Sequence, residues 1–295
     1  MYRMIHAIRV VAVGVALSVG TVTAGEEEEG WTVTDQTEFG QYRFVEENWK
    51  GHDPERRFRL EMKDKTLWQG ETSLYELPDI QRADGSVVTS MGYDVTGNGR
   101  SNIVISEFTL GAHCCWFHRV FELGREGMTG LSCFYTGDSG AIFKARDGFP
   151  GVEVITYDYM FHPANGCPIS VNVWPRVVLR LTDDGIKFAF DRMSGPPPSA
   201  AGQARIVELW SREIRDDKGG GPDMTNALAT MVRLVYTGHR ELAWQLWERA
   251  WPPELHIIEG QHAKTLREVL ADAAYADDLE EAYRARREIA APAAR

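Results

Sequence analysis

Asp94-Val-Thr-Gly-Asn-Gly-Arg-Ser-Asn102 runs directly into Ile103-Val-Ile-Ser106. Oxygen-bearing side chains stand at positions 1, 3, 5 and 9 of this nine-residue loop, with glycines at positions 4 and 6. A chain that turns this tightly, or wraps a cation, needs residues without a Cβ at such points. The β-branched run that follows reads as a strand. A loop feeding a strand in this way marks a β-repeat, and it sets the reading of the chain on both sides.

Working outward, short alternating segments recur: Phe58–Met62, Val87–Met91, Asn102–Ser106, His118–Leu123, Val152–Thr156, Val171–Trp174 and Val177–Leu181. Turn residues separate them, at Ala83-Asp-Gly85, Gly124, Gly130, Asp147-Gly148 and Asp183-Asp-Gly185. No helical period intervenes, so residues 25–193 are expected to form an antiparallel β domain. Ser194-Gly-Pro-Pro-Pro-Ser-Ala-Ala-Gly202 breaks the pattern, because three successive prolines fit neither a helix interior nor a central strand. Residues 194–202 therefore read as a linker.

Residues 203–295 carry a helical period. Ile206, Leu209, Trp210 and Ile214 share one face, as do Leu228, Met231, Val232 and Val235, a helix that Gly238 ends. Leu242, Leu246 and Ala250 form the next, stopped by Pro252-Pro253, and Leu266, Val269, Leu270 and Ala273 another. The tail from Asp277 reads as an extension of that helix, solvent-exposed or frayed. The segment from Met224 to Pro252 resembles half of a tetratricopeptide-type hairpin, but one hairpin cannot bury itself. A cap packed on the sheets is the plainer expectation.

Residues 1–24 read as a Sec-type signal peptide: Arg3, His6 and Arg9, then the apolar Val10–Val19, then small residues ending at Ala24. The apolar core is too short to span a bilayer. The protein is accordingly expected in the periplasm or outside the cell, with no membrane span after cleavage. The formal charge is −11, and losing Arg3 and Arg9 makes it more acidic. Such a chain is repelled by nucleic acid and anionic lipid.

Tyr93-Asp-Val-Thr-Gly-Asn-Gly-Arg-Ser-Asn-Ile-Val-Ile105 resembles the FG-GAP and VCBS repeats of integrin-type β-propellers. With Gly111-Ala-His-Cys-Cys115, it is similar to a family of bacterial exported proteins of unassigned role. The resemblance implies partial propeller-like antiparallel sheets, with two FG-GAP-like repeats and a helical cap. It also implies a calcium site, with Asp94, Thr96, Asn98 and Asn102 as side-chain ligands and Arg100 offering its backbone carbonyl. Thr96 stands where the repeats usually carry Asp or Asn, and Asn102 where they carry the closing Asp, so one carboxylate remains; affinity rises with ligand charge, which implies weak binding. The alternative is a metal-free turn held by its own Asx hydrogen bonds. A second loop, Asp147–Glu153, is more degenerate and is expected to hold no metal.

Four cysteines, Cys114, Cys115, Cys133 and Cys167, are expected to form two disulfides after export. Adjacent cysteines on an extended segment face opposite ways, so Cys114 and Cys115 would reach different partners, Cys133 and Cys167. A vicinal bridge is the alternative. A zinc or copper site drawn from His113, Cys114, Cys115, His118, His162 and Cys167 is a weaker reading, because no paired-ligand spacing is present.

No phosphate loop, dinucleotide fingerprint, nucleophile elbow or His-Glu-x-x-His motif occurs. Glu107, His113, Tyr157, Asp158 and His162 form a candidate ligand patch, with Glu107 and Asp158 after equivalent strands of the two repeats. The preferred expectation is a non-enzymatic binding or scaffold protein on a disulfide-stapled β framework, recognising a protein or a glycan. The alternative is a periplasmic hydrolase acting on glycan or peptide.

Overall fold

The computed structural model describes residues 30–50, 55–63, 65–71, 74–111, 114–161, 174–215 and 225–290. The expected signal peptide, His113, His162 and Cys167 lie outside them. Among the described residues the chain is mainly β, with helices towards the C-terminus.

The strands are β1 (Gly30–Phe39), β2 (Tyr42–Lys50), β3 (Arg56–Met62), β4 (Lys65–Glu71), β5 (Leu74–Glu76), β6 (Asp79–Gln81) and β7 (Val87–Thr89). They continue as β8 (Asn102–Gly111), β9 (Cys114–Leu123), β10 (Met128–Gly137), β11 (Ile142–Ala145), β12 (Val152–Tyr157), β13 (Arg176–Thr182) and β14 (Gly185–Phe188). They form three sheets, ordered β1-β2-β3-β4, β10-β9-β8-β5 and β14-β13-β12-β11-β6-β7. The pairings are antiparallel except β11 with β6, which run parallel (Phe143 opposite Ile80). This departs from the wholly antiparallel expectation. Strand β6 enters the third sheet before the second is made, so it meets β11 only through a long crossover.

The middle sheet explains the uninterrupted apolar run after Asp94. Ile103 and Ile105 enter one core with Tyr42, Phe44, Phe58, Leu60 and Tyr75 of the neighbouring strands. Val104, between them, enters a second core with Val120, Phe134, Phe143, Val154 and Leu179. A strand buried on both faces loses the polar half of its alternation. The first sheet is pinned to the second at its corner. The Tyr42 hydroxyl lies 2.5 Å from the Gly124 carbonyl, and Gln41 Nε2 donates to the Arg125 carbonyl over 2.8 Å. On the first sheet, charges of opposite sign alternate across strands: Arg57 and Arg59 hold Glu47, and Arg43 and Arg59 hold Glu61.

The helices are α1 (Phe190–Met193), α2 (Ala200–Arg215), α3 (Thr225–Tyr236), α4 (Arg240–Ala250), α5 (His256–Ala271) and α6 (Ala276–Ala290). Helix α2 starts at Ala200, within the segment read as a linker, one residue beyond Pro196–Pro198. Gly238, at φ +91°, ends α3, and the His239 N–H closes it on the Leu234 carbonyl. The second core runs on into this helical region through Met231, Val235, Leu246, Trp247 and Leu266.

The tail does not extend the helix before it. It forms a separate helix, α6, with Leu279 and Tyr283 buried. The Tyr283 hydroxyl donates to the Val235 carbonyl over 2.6 Å and accepts from the Arg240 N–H over 3.0 Å. Burial pushes its phenol up to about 12. Charges on the outer side of α6 hid this docking in the sequence.

Candidate functional site

The Asp94 loop is turned inward on itself. Asp94 Oδ1 accepts from the Gly97 N–H at 2.7 Å and the Asn98 N–H at 3.2 Å, and Oδ2 accepts from the Gly99 N–H at 2.7 Å. Asn102 Oδ1 accepts from the Val95 N–H at 2.9 Å. Asn98 Oδ1 accepts from the Arg100 N–H, while its amide nitrogen donates to Asp183. The Thr96 hydroxyl lies 3.5 Å from Asp94 Oδ1. The Arg100 side chain pairs with Glu122 and Asp183. Each side chain that a calcium site would draw on therefore already has a partner in the turn or beside it. Among the described residues no group of three or more His, Cys, Asp or Glu side chains is placed to hold a metal.

The two loops of the sequence reading clasp each other. The Val152 N–H donates to the Val95 carbonyl over 2.9 Å. Gly97 and Gly151 both have positive φ and meet face to face. A Cβ on Gly97 would lie 2.5 Å from the Pro150 carbonyl carbon, and one on Gly151 would lie 2.8 Å from Val95 O.

The cysteine reading needs correction at Cys133, which is a free, exposed thiol. The register puts it opposite Arg119, four residues along β9 from Cys115. At about 3.3 Å per residue that is roughly 13 Å along the strand, too far for a bridge. Cys115 is disulfide-bonded, to a sulfur outside the described side chains.

His118 leaves the proposed metal cluster for a similar reason. It lies three residues from Cys115, on the opposite face of β9. There it is buried, with Nδ1 2.8 Å from the Ser106 hydroxyl and Nε2 3.1 Å from the Thr136 hydroxyl. Phe134 stacks on its ring at 4.8 Å. Loss of solvent depresses its pKa from 6.5 to about 3, so the ring is neutral and ties β8, β9 and β10 together.

Glu107 and Asp158 have separate duties. Glu107 pairs with Arg119 on the adjacent strand. Asp158 is fully buried just past β12. Its Oδ2 accepts from the Tyr236 hydroxyl at 2.5 Å, and Oδ1 from the Met160 N–H at 3.0 Å and the Ala274 N–H at 3.4 Å. Ala274 lies two residues ahead of α6, so Asp158 ties the turn before that helix to the sheet. Burial raises the Asp158 pKa, against the pull of Tyr236 and the backbone N–H donors. The two carboxylates lie on different sheets, and neither is among the described residues that line the cavity below.

The feature that sequence reasoning missed is a cavity of about 400 Å³ at the seam between β13 and α3. Trp174, Pro175, Met193 and Ala229 give it apolar walls; Thr230, Thr237, Arg176 and Arg233 supply its polar groups. Ala229, Thr230, Arg233 and Thr237 follow helical spacing along one stripe of α3, while Met231, Val232 and Val235 are buried in the core. The small residues in the stripe leave the room. Tyr157 of the expected patch meets Trp174 edge to face at 6.2 Å and so braces one wall. Tyr236, bonded to Asp158, also lines the cavity. The structure thus brings Tyr157 and Asp158 beside one site and leaves Glu107 on another sheet. Arg176, which opens β13, and Arg233 were the available signals, but nothing in their sequence spacing joins them.

Comparison of the chain with protein-family models, curated proteins and solved structures gives no match.

Proposed function

We propose that this is an exported, non-enzymatic binding protein whose ligand site is the cavity between β13 and α3. The single observation behind the reading is the contrast between that cavity and the groups a hydrolase would use. Asp158, Glu107 and His118 are each engaged in joining strands or helices, whereas the cavity has the size, the apolar walls and the few polar groups of a small-molecule site. The stacked sheets are read as a partial propeller-like framework, with the helices as a cap that forms the cavity's second wall. Residues 1–24 supply the grounds for placing the protein in the periplasm or outside the cell.

The test is a thermal-shift screen of small molecules and oligosaccharides against the wild type and Ala229→Trp, which fills the cavity. A compound that raises the wild-type melting temperature and leaves the variant's unchanged is expected. Equal stabilisation of both proteins overturns the site. Glycan or peptide hydrolysis that disappears in a folded Asp158→Asn variant overturns the non-enzymatic reading.

A further inference from the structure

Two arginines from different parts of the fold meet at this cavity, unlike those that brace the sheets. Arg43, Arg57, Arg59, Arg119, Arg146 and Arg192 each hold a carboxylate. The Arg176 and Arg233 side chains have no hydrogen-bond or ion-pair partner among the described residues, although both are exposed in a protein carrying a formal charge of −11. They come from different elements, β13 and α3, and meet at one cavity. Among the described residues no Asp or Glu lines it. Two guanidiniums left unpaired beside apolar walls make a local positive field in an acidic protein, and that field selects negative charge. A guanidinium presents a planar fork of donors that matches a carboxylate.

The rest of the lining sets the remainder of the ligand. Trp174 offers an aromatic surface, and Pro175, Met193 and Ala229 offer aliphatic contact. A strongly hydrated inorganic anion gains nothing from these walls, whereas an apolar body does. We propose that the cavity takes a small amphipathic carboxylate, its apolar body against Trp174 and Met193 and its carboxylate shared by Arg176 and Arg233. This rests on the cavity being the ligand site and goes further by naming the ligand class. The Thr237 hydroxyl donates to the Arg233 carbonyl over 2.8 Å, which leaves the Thr230 hydroxyl on the same wall to serve the polar end of the ligand.

The test uses 2-naphthoate, its uncharged analogue 2-naphthamide, and inorganic phosphate, titrated against the full mature chain by calorimetry. Naphthoate is expected to bind about tenfold or more tightly than the amide, and phosphate to compete only weakly. Arg176→Gln and Arg233→Gln are each expected to weaken naphthoate about tenfold and to leave the amide unchanged, with Arg205→Gln as the surface control. Added salt weakens naphthoate binding in the wild type and less so in either variant. Circular dichroism melts confirm that the variants fold. Equal binding of acid and amide, with no effect of either arginine, overturns the carboxylate inference and leaves the cavity standing. Phosphate binding as tightly as naphthoate likewise overturns the amphipathic requirement. Naphthoate binding that survives Ala229→Trp overturns the site itself, and so does no binding by either naphthyl probe.

Discussion

The Tyr236 hydroxyl donates to the Asp158 carboxylate across 78 residues of chain, joining the end of β12 to the last turn of α3. The same carboxylate accepts from the Ala274 N–H ahead of α6. One buried side chain thereby sets the position of two helices relative to the sheet, and Tyr236 is also a wall of the cavity. Burial pushes the Tyr236 phenol well above its ordinary value, so it remains a donor throughout the accessible pH range.

Tyr236→Phe is expected to cost about 1–3 kcal/mol, because it leaves a buried carboxylate short of one donor. Urea unfolding should show a lower midpoint with an unchanged slope. Asp158→Asn in the Phe background should cost much less than in the wild type, the mark of a coupled pair. Additive losses would show that the bond contributes little.

Stability should climb with pH on the acid side. His118 is depressed to about 3 in the folded protein and titrates near 6.5 when unfolded. Between those values the unfolded chain binds the extra proton, so stability is complete above about 6.5 and falls as pH drops towards about 3, by at most about 1.4 kcal/mol per pH unit. Asp158 has the opposite sign: its raised folded value makes stability fall as pH rises out of the ordinary carboxylate range. The difference between wild type and His118→Gln isolates the histidine. A flat difference curve in urea midpoints over this range would contradict the buried neutral ring.

Substitution at the paired loops should separate strain from collision. Gly99→Ala adds only the cost of a positive φ, since nothing lies near its Cβ, and should cost about 1 kcal/mol. Gly97→Ala and Gly151→Ala add contact with backbone at 2.5 Å and 2.8 Å. About 2–4 kcal/mol is expected for each, read as lower melting temperatures.

Calcium is expected to leave the melting midpoint unchanged relative to chelator, because both Asp94 oxygens already accept N–H donors within the turn. An upward shift with rising calcium would mean that the loop reopens around the ion.

Native-state alkylation followed by intact mass is expected to label Cys133 without denaturant. Failure of that thiol to react would place it in a bridge.

The β character from Trp31 to Phe188 and the helical period of the C-terminal region were legible because each rests on local spacing of apolar residues; the short helix Phe190–Met193 at the end of the expected β domain was not. Ile103 and Ile105 announced a strand, and Gly238 announced a helix end. Strand β2 was harder to see, since Glu46 and Glu47 interrupt the apolar pattern and find their arginine partners only across the sheet. The parallel pairing of Ile80 with Phe143 leaves no local trace. The site divides in the same way. Tyr157 and Asp158 drew attention as a polar-aromatic cluster, but their roles come from Trp174, Tyr236 and Ala274, which are distant in the chain. Cys133 misled because its count was read without its register.

The insertion of β6 beside β11 makes the architecture interlaced. Residues 79–89 must wait, unpaired on one side, while residues 102–137 build a different layer, and they find their neighbour only when residues 142–145 arrive. No early fragment of this polypeptide owns a finished layer beyond the first meander. Assembly should therefore be slow and cooperative, and a single backbone nick near residue 90 would leave two pieces that hold together by interdigitation without a covalent link.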